Sequence, residues 1–245
     1  MSALEYTSTH QVLYYECEKT KRLTLPMLLN ILIQVSGEQS AHLGLGDDKM
    51  EEMGYAWIVL QHTFEVTRMP QTNETIQIMT KARQYNKFFC YRDFFVRGEQ
   101  GENLVTFTMV FAILDRNQRK MVRIPKELVE PYGAPFEKGL VRIPKPAVLD
   151  EKDAASALYR VRYFDIDGND HVNNSKYIEW MLDMLGAEFL ASHELKSGTI
   201  KFEKELVYGQ MVNCLASLSE KDGAQSSHRI QTDNQIHCTA SFEWH

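Results

Sequence analysis

Three side chains in the run YFDIDGNDHVNNSKYIEW, residues 163–180, have the types that hydrolytic chemistry needs. Asp167, Asn169 and His171 recur at every second position, so an extended segment would turn all three to one side. A helix is expected to start directly after them, and the first turn of a helix offers backbone N–H groups that suit an anion. A carboxylate, an amide and an imidazole beside such a helix start can activate a water and hold an oxyanion. Asp, Gly and Asn are equally the residues of ordinary turns, and a lone His near a helix start is more often structural. Spacing alone leaves both readings standing. The histidines form no H-E-x-x-H set and the chain has no Gly-rich phosphate loop, so no metal or other cofactor is expected.

The elements that must position these groups come in two similar sets. The run TLPMLLNILIQVSGEQSAHLGLG has a capping Thr24, an early Pro26, apolar residues at helical spacing, and Gly44 and Gly46 to end it. NNSKYIEWMLDMLGAEFL, residues 173–190, has the same character and is apolar on nearly every side, so both helices should be wrapped by other structure. Strand candidates around Tyr15 (VLYYECE) and Tyr163 (LYRVRYFDI) precede them. Four strand-like segments, rich in β-branched and aromatic residues, follow each helix. Tyr15 and Tyr163 lie 148 residues apart and the helix starts Thr24 and Asn173 lie 149 apart, which signals a duplication. Strand, buried helix, then an antiparallel run, without β-α alternation, predicts an α+β chain of two tandem hot-dog domains, each a long buried helix wrapped by a curved antiparallel sheet. Five of the seven prolines (Pro125, Pro131, Pro135, Pro144 and Pro146) cluster between the repeats. The expected division is 1–126, a linker over 127–152, and 153–245.

The 245 residues are 44% hydrophobic and 24% charged, enough to bury a sizeable core. A net charge of -6 disfavours nucleic acid as a partner. Locally the sign reverses: between Asp115 and Lys126, five cations (Arg116, Arg119, Lys120, Arg123 and Lys126) face one acid. That run is either a solvated turn or a dock for an acidic partner. Cys17, Cys90, Cys214 and Cys238 are widely spaced without a C-x-x-C pair, so buried free thiols are expected. No apolar run is long enough for a membrane span, and the first residues lack the pattern of a signal peptide, so a cytoplasmic protein is expected.

The phrase D-x-N-x-H-V-N-N-x-K-Y-I-x-W resembles the signature of plant and bacterial acyl-acyl carrier protein thioesterases. The resemblance continues through Trp57-Ile58-Val59, Arg68-Met69-Pro70, Tyr91-Arg92-Asp93-Phe94 and Arg123-Ile124-Pro125-Lys126-Glu127, in the family's order. It implies hydrolysis of a fatty acyl thioester, with acyl carrier protein bearing a phosphopantetheine-linked chain as partner and the chain itself a monomer or homodimer. Matched residue by residue, it makes Asp167, Asn169 and His171 site residues. It also places a catalytic Glu at Glu205, within a strand that includes TIKFEKE. Plant relatives carry Cys directly after that Glu; this chain has Leu206. The first repeat lacks Asp-x-Asn-x-His, and the family implies that it forms the acyl pocket, for which Met27, Leu28, Ile31, Leu32, Trp57 and Val59 are candidates. The basic segment would dock the carrier protein. The expected mechanism is attack by a water that Glu205 or Asp167 deprotonates. The nearest rival reading is a hot-dog hydrolase of coenzyme A esters, which present the same phosphopantetheine arm. A non-catalytic acyl sensor would not need the four polar residues together, and a hot-dog dehydratase would require a motif that is not found here.

Overall fold

The computed structural model describes residues 3–139, 141–220, 223–233 and 235–245. The first repeat runs β1 (Glu5–Gln11), α1 (Leu25–His42), α2 (Asp47–Glu52), β2 (Tyr55–Val66), β3 (Thr75–Tyr85), β4 (Cys90–Arg97), β5 (Asn103–Asp115) and β6 (Lys120–Val122). The second runs β7 (Ala155–Arg160), α3 (Asn174–Asp183), α4 (Ala187–Ser192), β8 (Leu195–Phe202), β9 (Met211–Ser219), β10 (Ala224–Thr232) and β11 (Gln235–Trp244). All strands join one antiparallel sheet in the order β1-β3-β4-β5-β2-β8-β11-β10-β9-β7, with β6 pairing β5. Read outward from its centre, the sheet repeats one order twice. The halves meet where β2 pairs β8, from Gln61 opposite Lys201 to Glu65 opposite Ser197. These are two tandem hot-dog units with a continuous sheet and helices α1 and α3 in contact.

Local chemistry explains the helices. Thr24 accepts the Met27 N–H with its side chain, Pro26 sits in the first turn, and Leu25, Leu28, Leu29, Leu32 and Val35 are buried. Asn173 caps α3 by accepting the Ser175 N–H at 2.9 Å. The single helix expected over 173–190 is divided, because Gly186 adopts φ 80° and ends α3 before α4 begins. Likewise α1 stops at His42, with Gly44 at φ 73°, and α2 is a separate element.

The strand candidates around Tyr15 and Tyr163 are instead 3-10 turns, Tyr14–Glu16 and Tyr163–Asp165, with the strands lying earlier in each repeat. In each turn a buried carboxylate folds back onto the chain: Glu16 accepts the Leu13 N–H and Asp165 the Arg162 N–H, both at 2.8 Å. Such local hydrogen bonds compete with strand pairing. The offset between the two turns is 149 residues, so the structural partner of Tyr163 is Tyr14 and not Tyr15.

The linker expected to begin at residue 127 begins later. Leu128, Val129 and Tyr132 pack with Leu45, Met50, Tyr85 and Ile113. Tyr85 then exchanges backbone hydrogen bonds with Pro135 and Glu137, which keeps this stretch on the first unit. Proline marks the irregularity of the segment but says nothing of its packing.

Two buried histidines make the fold sensitive to acid. His62, on β2 at the junction, is fully buried against Phe107 and Phe202 with neither ring nitrogen hydrogen-bonded among the described residues, and burial pushes its pKa down to about 3. Burial does the same to His228. Below an unfolded-state pKa of about 6.5 the unfolded chain takes up protons that the folded chain refuses, so stability falls as pH drops from there toward 3. At about 1.4 kcal/mol per pH unit, His62 alone removes about 2 kcal/mol between pH 7 and pH 5. A His62→Leu variant should lose that much less over the same interval, whatever its stability at pH 7. Urea midpoints at the two pH values measure this, and parallel losses in parent and variant would remove His62 as the cause.

Candidate active site

The segment carrying Asp167, Asn169 and His171 is not extended. It is a tight loop: the Asp167 N–H donates to the His171 carbonyl at 2.9 Å, the Asp170 N–H to the Asp167 carbonyl at 3.1 Å, and Asp170 takes φ 62°. Asp167 Oδ1 accepts the Asn169 N–H at 2.8 Å, an Asx turn that holds the loop shut. A bridge between Ile166 and Val172 clamps its ends. The three side chains therefore meet on one cleft through a turn, and the alternation expected of a strand does not apply.

Glu205 also differs from expectation in its setting. β8 ends at Phe202, so Glu205 stands in the loop between β8 and β9. That loop is fixed on both flanks. Glu203 N–H donates to the His237 carbonyl at 2.8 Å; the Leu206 N–H donates to the Tyr177 hydroxyl at 3.1 Å, and the Leu206 carbonyl accepts the Val172 N–H at 2.9 Å. Leu206 is itself fully buried in the core, a packing residue. With Leu206 anchored inward, Glu205 faces His171, and Glu205 Oε2 lies 2.9 Å from His171 Nε2.

Two arginines enter from the first repeat. Arg119 donates to Glu205 Oε2 at 2.8 Å and lies 3.4 Å from His171 Nε2; Arg116 donates to Asn169 Oδ1 at 3.4 Å and to Glu51 at 3.1 Å. With its carbonyl oxygen facing Arg116, Asn169 has its amide nitrogen left as a donor. The sequence placed both arginines in a surface run, because their partners lie 53 and 86 residues away along the chain. Lys120, Arg123 and Lys126 of the same run are exposed.

The cleft measures about 870 Å³ and crosses from this site into the first unit. Asn173 and Asn174, at the start of α3, form part of its wall beside His171. Of the candidate acyl-pocket residues, Trp57 and Val59 line it. Met27, Leu28, Ile31 and Leu32 instead pack in the core, and α1 presents Leu29, Ile33, Gly37 and Ser40 to the cleft. These recur at helical spacing on one face, and the pattern of a helix apolar nearly all round does not reveal which face that is.

The first repeat keeps the loop without the chemistry. Shifted by 149 residues, Asp167, Asn169 and His171 correspond to Glu18, Thr20 and Arg22, and Lys21 takes φ 67° where Asp170 takes 62°. There Arg22 donates to Glu18 at 3.0 Å and to the Leu190 carbonyl of the second unit at 3.0 Å. Arg22 also pairs with Glu194 of the second unit at 3.3 Å, so this side chain ties the two units together.

Cys90 is the cysteine on the cleft wall, and burial pushes its thiol up to about 12. Burial likewise raises Cys214 to about 12 and holds Cys238 well above the usual thiol range. Such thiols are poor nucleophiles near neutral pH. Among the described residues, no group of three or more His, Cys, Asp or Glu side chains is arranged to hold a metal ion, and no helix is long and apolar enough to cross a membrane.

Comparison with known proteins yields a consistent set of similarities. Residues 3–132 match the family model for the acyl-ACP thioesterase N-terminal domain, and residues 149–245 match that for the C-terminal domain. A chloroplastic acyl-[acyl-carrier-protein] hydrolase of Cuphea viscosissima is 26% identical over 94% of this chain, and the chain spans 60% of that protein's length. A solved structure from Lactobacillus plantarum, provisionally named an oleoyl thioesterase, is 36% identical with a TM-score of 0.95, covering 99% of this chain and 96% of that one. The 12:0-ACP thioesterase of Umbellularia californica, 22% identical with a TM-score of 0.87 over 100% of this chain and 98% of that one, shares the fold.

Proposed function

The chain belongs to the acyl-ACP thioesterase family, and from that premise we propose that it hydrolyses fatty acyl-acyl carrier protein thioesters to free fatty acid and carrier-protein thiol. The observation that carries this reading is the Glu205–His171 pair, 2.9 Å apart at a cleft that extends into the first unit. A water held by this pair loses its proton to the carboxylate and attacks the thioester carbonyl. Glu205 hands that proton across the 2.9 Å contact to His171, which passes it to the departing thiolate. The Asn169 amide and the start of α3 stabilise the oxyanion. Asp167 orients, because its carboxylate already receives the Asn169 N–H. The apolar wall contributed by Leu29, Ile33, Trp57 and Val59 suits the alkyl chain.

A coenzyme A ester presents the same arm, so the carrier is the point to test. We assign docking of acidic acyl carrier protein to Lys120, Arg123 and Lys126, exposed cations continuing from the hairpin whose arginines line the cleft. Purified protein would be assayed on carrier protein and on coenzyme A loaded with chains of graded length. The expected result is a kcat/KM at least tenfold higher for the carrier-protein ester. Changing the three cations to Ala should raise KM several-fold for that ester and leave the coenzyme A ester unaffected, with the difference fading at high salt. Equal rates on both carriers with no response to the triple change would favour the coenzyme A reading.

A further inference from the structure

The β5–β6 hairpin belongs to the first repeat, yet its turn ends on the second repeat's carboxylate. The turn is braced. Asp115 Oδ1 accepts the N–H groups of Asn117 and Gln118 at 2.9 Å each, the Arg119 N–H donates to the Asp115 carbonyl at 2.8 Å, and the Arg116 N–H donates to the Gly54 carbonyl at 3.0 Å. Arg119 itself takes φ 53°, a left-handed conformation that a residue with a side chain adopts at a cost. The guanidinium so delivered and His171 reach the same oxygen, Glu205 Oε2.

We propose that Arg119 is a positioning residue for the second repeat's site, holding Glu205 in the rotamer that faces His171, so that the active centre is completed by the other half of the duplication. The inference rests on the hydrolytic reading of Glu205 and His171 and adds a residue to it. Glu205 is about two-fifths exposed, and a carboxylate on an exposed loop samples several rotamers unless a donor selects one. Among the described residues, the other charged or titratable groups around it do not hold it: Asp167 and Glu203 have the wrong sign, Lys204 lines the cleft but makes no ion pair with Glu205, Tyr177 is engaged by the Leu206 N–H, and Arg116 is directed to Asn169 and Glu51. Nor is stability the reason for the pair. Arg119 is three-fifths exposed, and ion pairs at that exposure add little to folding.

The test compares Arg119→Met, Arg119→Lys and Glu205→Gln on dodecanoyl-coenzyme A, a substrate without the carrier protein and so blind to docking. Arg119→Met should lower kcat about 10- to 100-fold, the scale of a misplaced catalytic group, with KM within about threefold of the parent. Arg119→Lys should recover part of the loss. Millimolar guanidinium chloride should restore activity to Arg119→Met but not to Glu205→Gln, and the same concentration of urea should restore neither. Normal kcat in Arg119→Met, or a loss confined to KM, overturns the inference while an inactive Glu205→Gln leaves the hydrolytic reading intact. Full turnover in Glu205→Gln defeats the underlying reading itself.

Discussion

Replacing Glu205 by Gln should reduce turnover of an acyl-carrier protein ester by at least about two orders of magnitude, and by up to about 10⁴. The substitution changes almost no volume but removes the carboxylate that takes the proton of a water held beside the Glu205–His171 pair, whose side chains are in direct contact at 2.9 Å. It also places an amide against the Arg119 guanidinium, which had a carboxylate as partner. His171→Ala should cost a similar factor, because the imidazole is the group positioned to protonate the leaving thiolate. The double variant should be little worse than either single one, since residues that act as a unit lose their joint contribution once. Folding should survive all three changes. Glu205 lies on a loop whose hold on the core runs through the Leu206 backbone and side chain, which remain. The measurement is kcat with urea midpoints alongside; a folded Glu205→Gln or His171→Ala enzyme that turns over near the parent rate would end the assignment.

What the sequence made legible was local or repeated. The caps at Thr24 and Asn173, the β-branched strands and the 149-residue offset are short-range or self-similar signals, and each survives in the structure. The Asp-Asn-His spacing drew attention to the right loop for an incomplete reason: an Asx turn and a left-handed Asp170 gather the side chains, where a pleated strand had been expected. Misses arose wherever the answer depended on contacts distant in the chain. Nothing in DRNQRKMVRIPK marks Arg119 as a neighbour of Glu205, because the hairpin reaches it only after two repeats pair through β2 and β8. The helical phase of α1 was hidden for a related reason. Core and cleft are both apolar where α1 meets them, so Leu28 and Leu29 look alike until the surrounding sheet decides which one faces the cavity.

That same junction contains the position where one methyl group should do the most structural damage. Gly198 on β8 pairs with Phe64 on β2 and Phe242 on β11, the two strands that flank it. A Cβ there would lie 2.5 Å from Phe64 Cζ, 2.6 Å from Phe242 Cδ1 and 3.0 Å from Phe64 Cε1, well inside contact distance. An isolated ring could swing aside, but Phe64 is stacked on Phe107 at 5.2 Å and both Phe64 and Phe242 are buried in the close-packed core. The strain must then pass into β8, the strand that holds the two half-sheets together and leads directly into the loop of Glu205. Gly198→Ala should lower stability by about 2–3 kcal/mol, the upper range of core overpacking, and Gly198→Val should abolish cooperative folding. Phe64→Leu, by removing the far end of one ring, should restore part of the stability of Gly198→Ala, so the two changes should be non-additive by about 1 kcal/mol or more. Urea denaturation of the two single variants and the double variant decides the matter: a Gly198→Ala midpoint equal to the parent's would mean that the aromatic cluster yields more readily than its packing indicates.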